Sequence, residues 1–168
     1  GIPVVSGTTG WLEQYDKMVT LCHEYEGSFL YGSNFSLGVN LFFELNSYLA
    51  QLMAKFDQYQ VSMEEIHHTQ KLDKPSGTAI SLANGIMEHT NHTNWSMEKQ
   101  TPNELPIDVK RIDNVPGTHR IFYTSAVDTI EISHTAHNRE GFALGAIIAA
   151  EWLASRKGVY TMKDVLEL

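Results

Sequence analysis

Two hydrophobic periods alternate along the chain. Residues 2–6 form a short apolar, β-branched run stopped by Gly7, Thr8, Thr9 and Gly10, after which Leu12, Tyr15, Met18, Val19 and Cys22 recur at helical spacing. Gly27 is placed to end that helix. Residues 28–31 predict a second strand, broken by Gly32, Ser33 and Asn34. Leu37, Leu41, Leu45, Tyr48, Leu49, Leu52 and Phe56 then mark a long amphipathic helix. This strand-helix-strand-helix order predicts parallel strands joined by a right-handed crossover, with residues 7–10 and 32–34 side by side at the carboxyl ends of their strands. In open α/β sheets that edge is where ligands bind.

Residues 60–67 predict a third strand that carries Glu64, Glu65 and His67 towards its end, followed by a loop over 69–76 and a helix over 77–89. Pro75 and Ser76 stand where a helix start is normally signalled. Residues 91–106 turn polar and predict an exposed connection. Residues 107–111 and 120–135 alternate as strands do, separated by turn chemistry at 113–117. The last helix, over 142–156, is apolar through Ala143, Leu144, Ala146, Ile147, Ile148, Ala149 and Ala150, which predicts burial on more than one face. The pattern as a whole predicts an α/β fold with a mixed sheet and helices packed on one of its faces.

Composition narrows the setting. A chain of 168 residues with 42% hydrophobic positions can bury roughly 70% of its unfolded surface, so it needs neither disulfides nor a structural metal. A formal net charge of -8, with no basic stripe, excludes nucleic acid and acidic membrane surfaces as partners. The lone Cys22, the absence of a signal-peptide pattern and the absence of an apolar run of about 18 residues predict a cytoplasmic protein. The sequence opens without Met on an apolar run at residues 2–5, which predicts a buried first strand with further chain in front of it.

Against this acidic background the segment 65–79, E-I-H-H-T-Q-K-L-D-K-P-S-G-T-A, is a local positive site: His67, His68, Lys71 and Lys74 lie within eight residues. It runs into Ser76, Gly77 and Thr78 at a helix start, where backbone N–H groups and the helix dipole favour an anion. Gly77 has no Cβ to keep a ligand from the backbone. A small molecule carrying carboxylates is the guest this chemistry predicts. Imidazole moves protons near neutral pH and a lysine ammonium stabilises or protonates developing negative charge, the pairing that reduction of a polar double bond requires. The plainer reading of His67 and His68 is one half-buried core residue beside a solvated one, since consecutive strand side chains face opposite ways.

Eight histidines also raise metal binding. On a strand, however, the spacing of His134 and His137 sends them to opposite faces, and His134 joins Ile130, Ile132 and Ala136 as a core residue. His89 and His92 lie in or beside a polar stretch and are expected to be solvated. No ligand set assembles from sequence spacing, so no metal is predicted.

The segment 65–79 resembles the signature E-x-H-H-x-x-K-x-D-x-P-S-G-T-A of the bacterial dihydrodipicolinate reductases, the 4-hydroxy-tetrahydrodipicolinate reductases of the diaminopimelate route to lysine. Supporting matches run in family order: Gly7 to Gly10, S-N-F-S-L-G-V-N at 33–40, Arg111 with Gly117 and His119, E-I-S-H at 131–134 and K-D-V-L at 163–166. The resemblance implies that His67 is a proton donor/acceptor and Lys71 a second proton donor, with His68, Gly77 and Thr78 holding the substrate. It implies that Gly7, Thr8, Thr9, Gly32, Ser33, Asn34 and Phe35 line the nicotinamide end of NADH or NADPH, which reduces a cyclic imine-type acceptor with loss of water. It also implies a homotetramer.

Family members begin with a dinucleotide-binding half carrying G-x-x-G-x-x-G, whereas the step after Gly7 and Gly10 lands here on Glu13. The resemblance therefore implies part of a Rossmann-like dinucleotide-binding domain at 1–33, a substrate-binding and oligomerisation domain at 34–150, and a return to the dinucleotide-binding domain at 151–168. Weak dinucleotide binding by this polypeptide is expected to follow. The competing reading is a dicarboxylate-binding or oligomer-forming module without redox activity. A metal-dependent hydrolase is the third, and histidine spacing argues against it.

Overall fold

The computed structural model describes residues 1–8, 10–98 and 101–168. Its strands are β1 (Val4–Ser6), β2 (Ser28–Tyr31), β3 (Gln60–His67), β4 (Asn94–Ser96), β5 (Glu104–Arg111), β6 (Gly117–Thr124), β7 (Thr129–Ala136) and β8 (Gly158–Tyr160). Its helices are α1 (Tyr15–Glu24), α2 (Leu37–Met53), α3 (Gly77–Met87), α4 (Glu140–Leu153) and α5 (Met162–Leu166), with a 3-10 turn at Leu12–Gln14. No helix among the described residues is long and apolar enough to cross a membrane. The chain forms two compact units, one of Gly1–Asn40 with Arg139–Leu168 and one of Leu41–Asn138.

The first unit is built on a parallel sheet in the order β1-β2-β8. Ser6 pairs with Tyr31 and Gly32 N–H donates to the Ser6 carbonyl at 3.1 Å, so the loops after β1 and β2 leave the sheet side by side, as the strand-helix-strand order predicts. Leu30, Phe35, Ala149, Leu153, Met162 and Val165 form its core. The close seam lies at Gly145: a Cβ there would stand 1.7 Å from the Phe35 carbonyl oxygen, so α4 can meet the loop after β2 only through glycine.

Several expectations change in this unit. In the opening run Ile2 and Val4 are exposed, since among the described residues β1 pairs with β2 alone and lies at the sheet edge. The left-handed residue after α1 is Glu26, at φ 47°, whereas Gly27 serves close approach, a Cβ there falling 3.3 Å from Cys22 Sγ. Helix α4 buries one stripe, Gly145, Ala149 and Leu153, and leaves Leu144 and Ile147 exposed. It packs with the first unit through β1, β2 and α5. The compact units divide after Asn40 and before Arg139.

The second unit holds a mixed five-stranded sheet in the order β4-β5-β3-β6-β7. β3 runs parallel to β5 and antiparallel to β6. Phe42, Ala50 and Met53 of α2 and Ala79, Leu82, Ala83 and Ile86 of α3 cover one face, meeting Val61, Met63, Leu105, Ile107, Ile121 and Tyr123. The other face is charged, with Glu64 paired to Lys110 and Arg120.

Most of the apolar stripe read from sequence lies on the outer side of α2, with Leu49 alone packed against the core cluster. Leu41, Leu45, Tyr48 and Leu52 are exposed, while Phe42, Asn46, Ala50 and Met53 face the core. Asn46 is tolerated there because its amide donates to the Leu82 carbonyl at 2.9 Å. The stretch 91–106 is not a bare connection, since β4 pairs with the start of β5 and Leu105 is fully buried.

Candidate active site

Alternation along three neighbouring strands builds the site. On the helix-covered face β3 reads Val61, Met63, Glu65, His67, so the apolar core gives way to polar residues within one strand. Register then brings in the neighbours: His67 lies opposite Arg111 of β5 and Glu65 opposite His119 of β6. Glu65 is fully buried, and His67 and His119 nearly so.

The Glu65 carboxylate is the hub. Oε2 accepts the Ser76 backbone N–H at 2.7 Å, and Oε1 lies 3.0 Å from Arg111 Nη2 and 3.5 Å from His67 Nδ1. Burial alone would raise this carboxyl, but the imidazole of His67 and the donors of Ser76 outweigh it and bring it down to about 2. His119 Nε2 shares a 3.2 Å hydrogen bond with Ser76 Oγ. Burial, then the neighbouring His67, lowers His119 to about 4, so it is neutral at pH 7. The rings of His67 and His119 meet edge to face at 5.2 Å.

Ser76 is the N-cap of α3, its hydroxyl accepting the Ala79 N–H at 3.1 Å. The helix start carrying Gly77 and Thr78 is thereby fixed on Glu65. Gly77 is exposed, with nothing within 4 Å of the place a Cβ would take. Arg111 fixes the loop before it, donating to the carbonyls of Asp73 at 2.6 Å and Lys71 at 3.4 Å. Lys71 Nζ lies 2.8 Å from Asp73 and holds that carboxyl below its usual range. The positive cluster read from sequence is thus balanced: Lys71 is paired, Lys74 is exposed, and Arg111 joins from β5. His68 is half-buried beside the buried His67.

Sequence reasoning gave no role to Glu65, Arg111 or His119. They come together from three strands, and only the sheet register reveals it. Glu65, His67 and His119 also present ligand atoms within 4.8 Å of one another, a set invisible to spacing rules. Arg111 and the Ser76 amide already occupy the Glu65 oxygens, which disfavours a cation there. His134 is half-buried against Phe42, ring centroids 6.0 Å apart, and not a core residue. His89 and His92 are half-buried, with hydroxyl partners in Ser47 and Thr90, and not solvated.

The predicted nicotinamide-lining residues lie in the first unit. Gly7 and Thr8 follow β1, and Gly32, Ser33 and Asn34 follow β2. A Cβ at Gly7 would stand 3.0 Å from the Phe35 ring and one at Gly32 3.4 Å from it. Phe35 is itself core, so it has only its backbone to offer a ligand. Thr9 lies outside the described residues.

A buried carboxylate-imidazole pair thus stands beside a lysine-bearing loop and an open helix start. Residues 38–166 match the family model described as dihydrodipicolinate reductase, C-terminus. A 4-hydroxy-tetrahydrodipicolinate reductase of Christiangramia forsetii is 55% identical over 166 residues, covering 98% of this chain and 70% of its own length. Its namesake in Clostridium novyi is 35% identical over 181 residues, covering 99% of this chain and 68% of its own length. The dipicolinate-bound dihydrodipicolinate reductase of Paenisporosarcina sp. TG-14 superposes with a TM-score of 0.71 at 26% identity, covering 95% of this chain and 63% of that one. The chain belongs to the dihydrodipicolinate reductase family.

Proposed function

We propose that this chain carries the substrate-binding and proton-transfer part of an NAD(P)H-dependent reductase that converts 4-hydroxy-tetrahydrodipicolinate to tetrahydrodipicolinate in lysine biosynthesis through diaminopimelate. The observation that carries the proposal is the attachment of His67, the Lys71 loop and the α3 start to one buried carboxylate, in a chain more than half identical to a reductase of that name.

His68 and the amides of Gly77 and Thr78 take the substrate carboxylates, using the open space beside Gly77 and the positive end of α3. A relative at 26% identity binds dipicolinate, an anion of the same kind. Lys71 leaves Asp73 for the substrate and protonates it as negative charge develops. His67 exchanges the second proton, and the substrate hydroxyl departs as water. NADH or NADPH, when bound, supplies the hydride. Gly7, Thr8, Gly32, Ser33, Asn34 and Phe35 are the residues to hold its nicotinamide end, with Thr9 assigned on resemblance alone. Two adjacent loops at the carboxyl edge of a parallel sheet suit that task. The reading includes a homotetramer acting in the cytoplasm, a reducing compartment that suits the lone buried Cys22.

The test uses the intact gene product, with any residues that precede Gly1. NAD(P)H oxidation that depends on substrate is expected to fall by about 100-fold or more in His67→Ala and in Lys71→Ala. Full rates in both variants would refute the assigned roles. Binding of dipicolinate with no NAD(P)H oxidation would identify a dicarboxylate-binding module instead.

A further inference from the structure

The geometry points to Glu65 as a positioning residue that keeps the His67 proton on Nδ1, so that Nε2 is the nitrogen that exchanges protons with the substrate. This rests on the proposed reductase function, but its structural half does not depend on turnover.

Three observations carry it. First, the groups facing the ring leave Nδ1 one acceptor. Nδ1 is buried with no hydrogen-bond partner among the described residues, and Glu65 Oε1, itself without one, stands 3.5 Å away in an ion-pair contact. A carboxylate can only accept. A bare Nδ1 lone pair would oppose it, whereas Nδ1–H points a donor at it. The other charged or titratable neighbours are Arg111 from β5, itself 3.0 Å from Oε1, and His119 from β6, whose ring lies 5.2 Å from that of His67. Arg111 keeps the carboxylate anionic and so strengthens the same preference.

Second, the opposite nitrogen faces a place where the chain has no side chain. A Cβ on Gly117 would fall 2.9 Å from Nε2 and 3.2 Å from the adjacent ring carbon. Glycine at the start of β6 is what lets the ring lie as it does, with Nε2 uncovered by any side chain at that position.

Third, the second oxygen of Glu65 is committed to the Ser76 N–H at 2.7 Å. The carboxylate therefore cannot rotate freely, and its orientation is set by the same helix start that is proposed to take the substrate carboxylates. Glu65 aligns the proton-moving group with the anion-holding one.

This arrangement makes Glu65→Gln an unusually specific probe. With its oxygen kept on the Ser76 N–H, the Gln amide turns its NH2 towards Nδ1, and Arg111, whose Nη2 lies 3.0 Å from that place, must draw back. A donor there requires a lone pair on Nδ1 and moves the proton to Nε2. The experiment is a long-range proton-nitrogen NMR spectrum of the His67 ring in the intact gene product without substrate, alongside steady-state kinetics. The wild type is expected to show the Nδ1–H tautomer and Glu65→Gln the Nε2–H tautomer. The variant's kcat should fall roughly 10- to 100-fold while KM moves far less, the signature of a lost positioning contact.

A wild-type His67 in the Nε2–H form overturns the inference, and this measurement needs no variant to fold. An unchanged tautomer with unchanged kcat in Glu65→Gln overturns it as well. A wild type with the expected tautomer that fails to reduce the substrate would instead refute the function and leave the positioning intact.

Discussion

At Gly117 a single missing methyl decides where an imidazole can sit. Gly117→Ala would place carbon 2.9 Å from His67 Nε2 and push the ring off its Glu65 contact, at a cost of about 1–3 kcal/mol in stability. The expected outcome is a folded protein with kcat reduced by about 10-fold or more, checked by thermal melting beside steady-state rates. The buried ionisable groups also set an acid profile in two windows. His119 has a pKa of about 4 in the fold against 6.5 free, so the unfolded chain takes up its proton first and stability declines as pH falls from 6.5 to 4. Glu65, held at about 2 against 4.5, contributes stability above 4.5 that is lost as pH falls through about 2. Each window amounts to roughly 3 kcal/mol. Urea unfolding across a pH series should show both, and His119→Asn should shrink the upper one, leaving the parts of His92 and His134, which burial also lowers.

Among the elements, α3 is the one whose start does two jobs. Ser76→Ala removes the hydroxyl that receives Ala79 N–H and the partner of His119, but leaves the backbone bond to Glu65. A loss of about 1–2 kcal/mol is expected, with KM for substrate rising more than kcat falls; an unchanged KM would separate the cap from binding. That start was legible in sequence because Pro75, Ser76 and Gly77 signal it locally, as did the strand-helix order that brings the loops after β1 and β2 together. Faces were less legible. Helix α2 is apolar around most of its circumference, so periodicity could not tell the Leu41–Tyr48 side from the Phe42–Asn46 side, and an asparagine at a core position hides the true stripe. Strand β4 was lost because its Asn94 and Ser96 flank one apolar residue, Trp95. Glu65, Arg111 and His119 form a site only once β3 is known to lie between β5 and β6, and that is a property of long-range pairing.

For the whole molecule, the two cores predict two separable responses to damage. Gly145→Ala forces a methyl into the Phe35 carbonyl and strikes the first unit alone. Hydrogen exchange should show β1, β2 and β8 losing protection while β3, β5 and β6 keep theirs; equal loss in both sheets would mean the units unfold as one. Division of labour also runs through the proposed site itself. Glu65 and His67 belong to the central strand of the larger sheet, so changing them disturbs the segment on which the second unit is assembled. Lys71, Lys74 and Gly77 project from a loop and a helix start that the sheet holds but does not need. A protein laid out this way has one conservative half and one adjustable half in a single site. Variants with altered anion preference are therefore to be sought at Lys74 and Gly77, the exposed positions flanking the buried Ser76 cap, where the chain can explore new ligands without first having to learn to fold again.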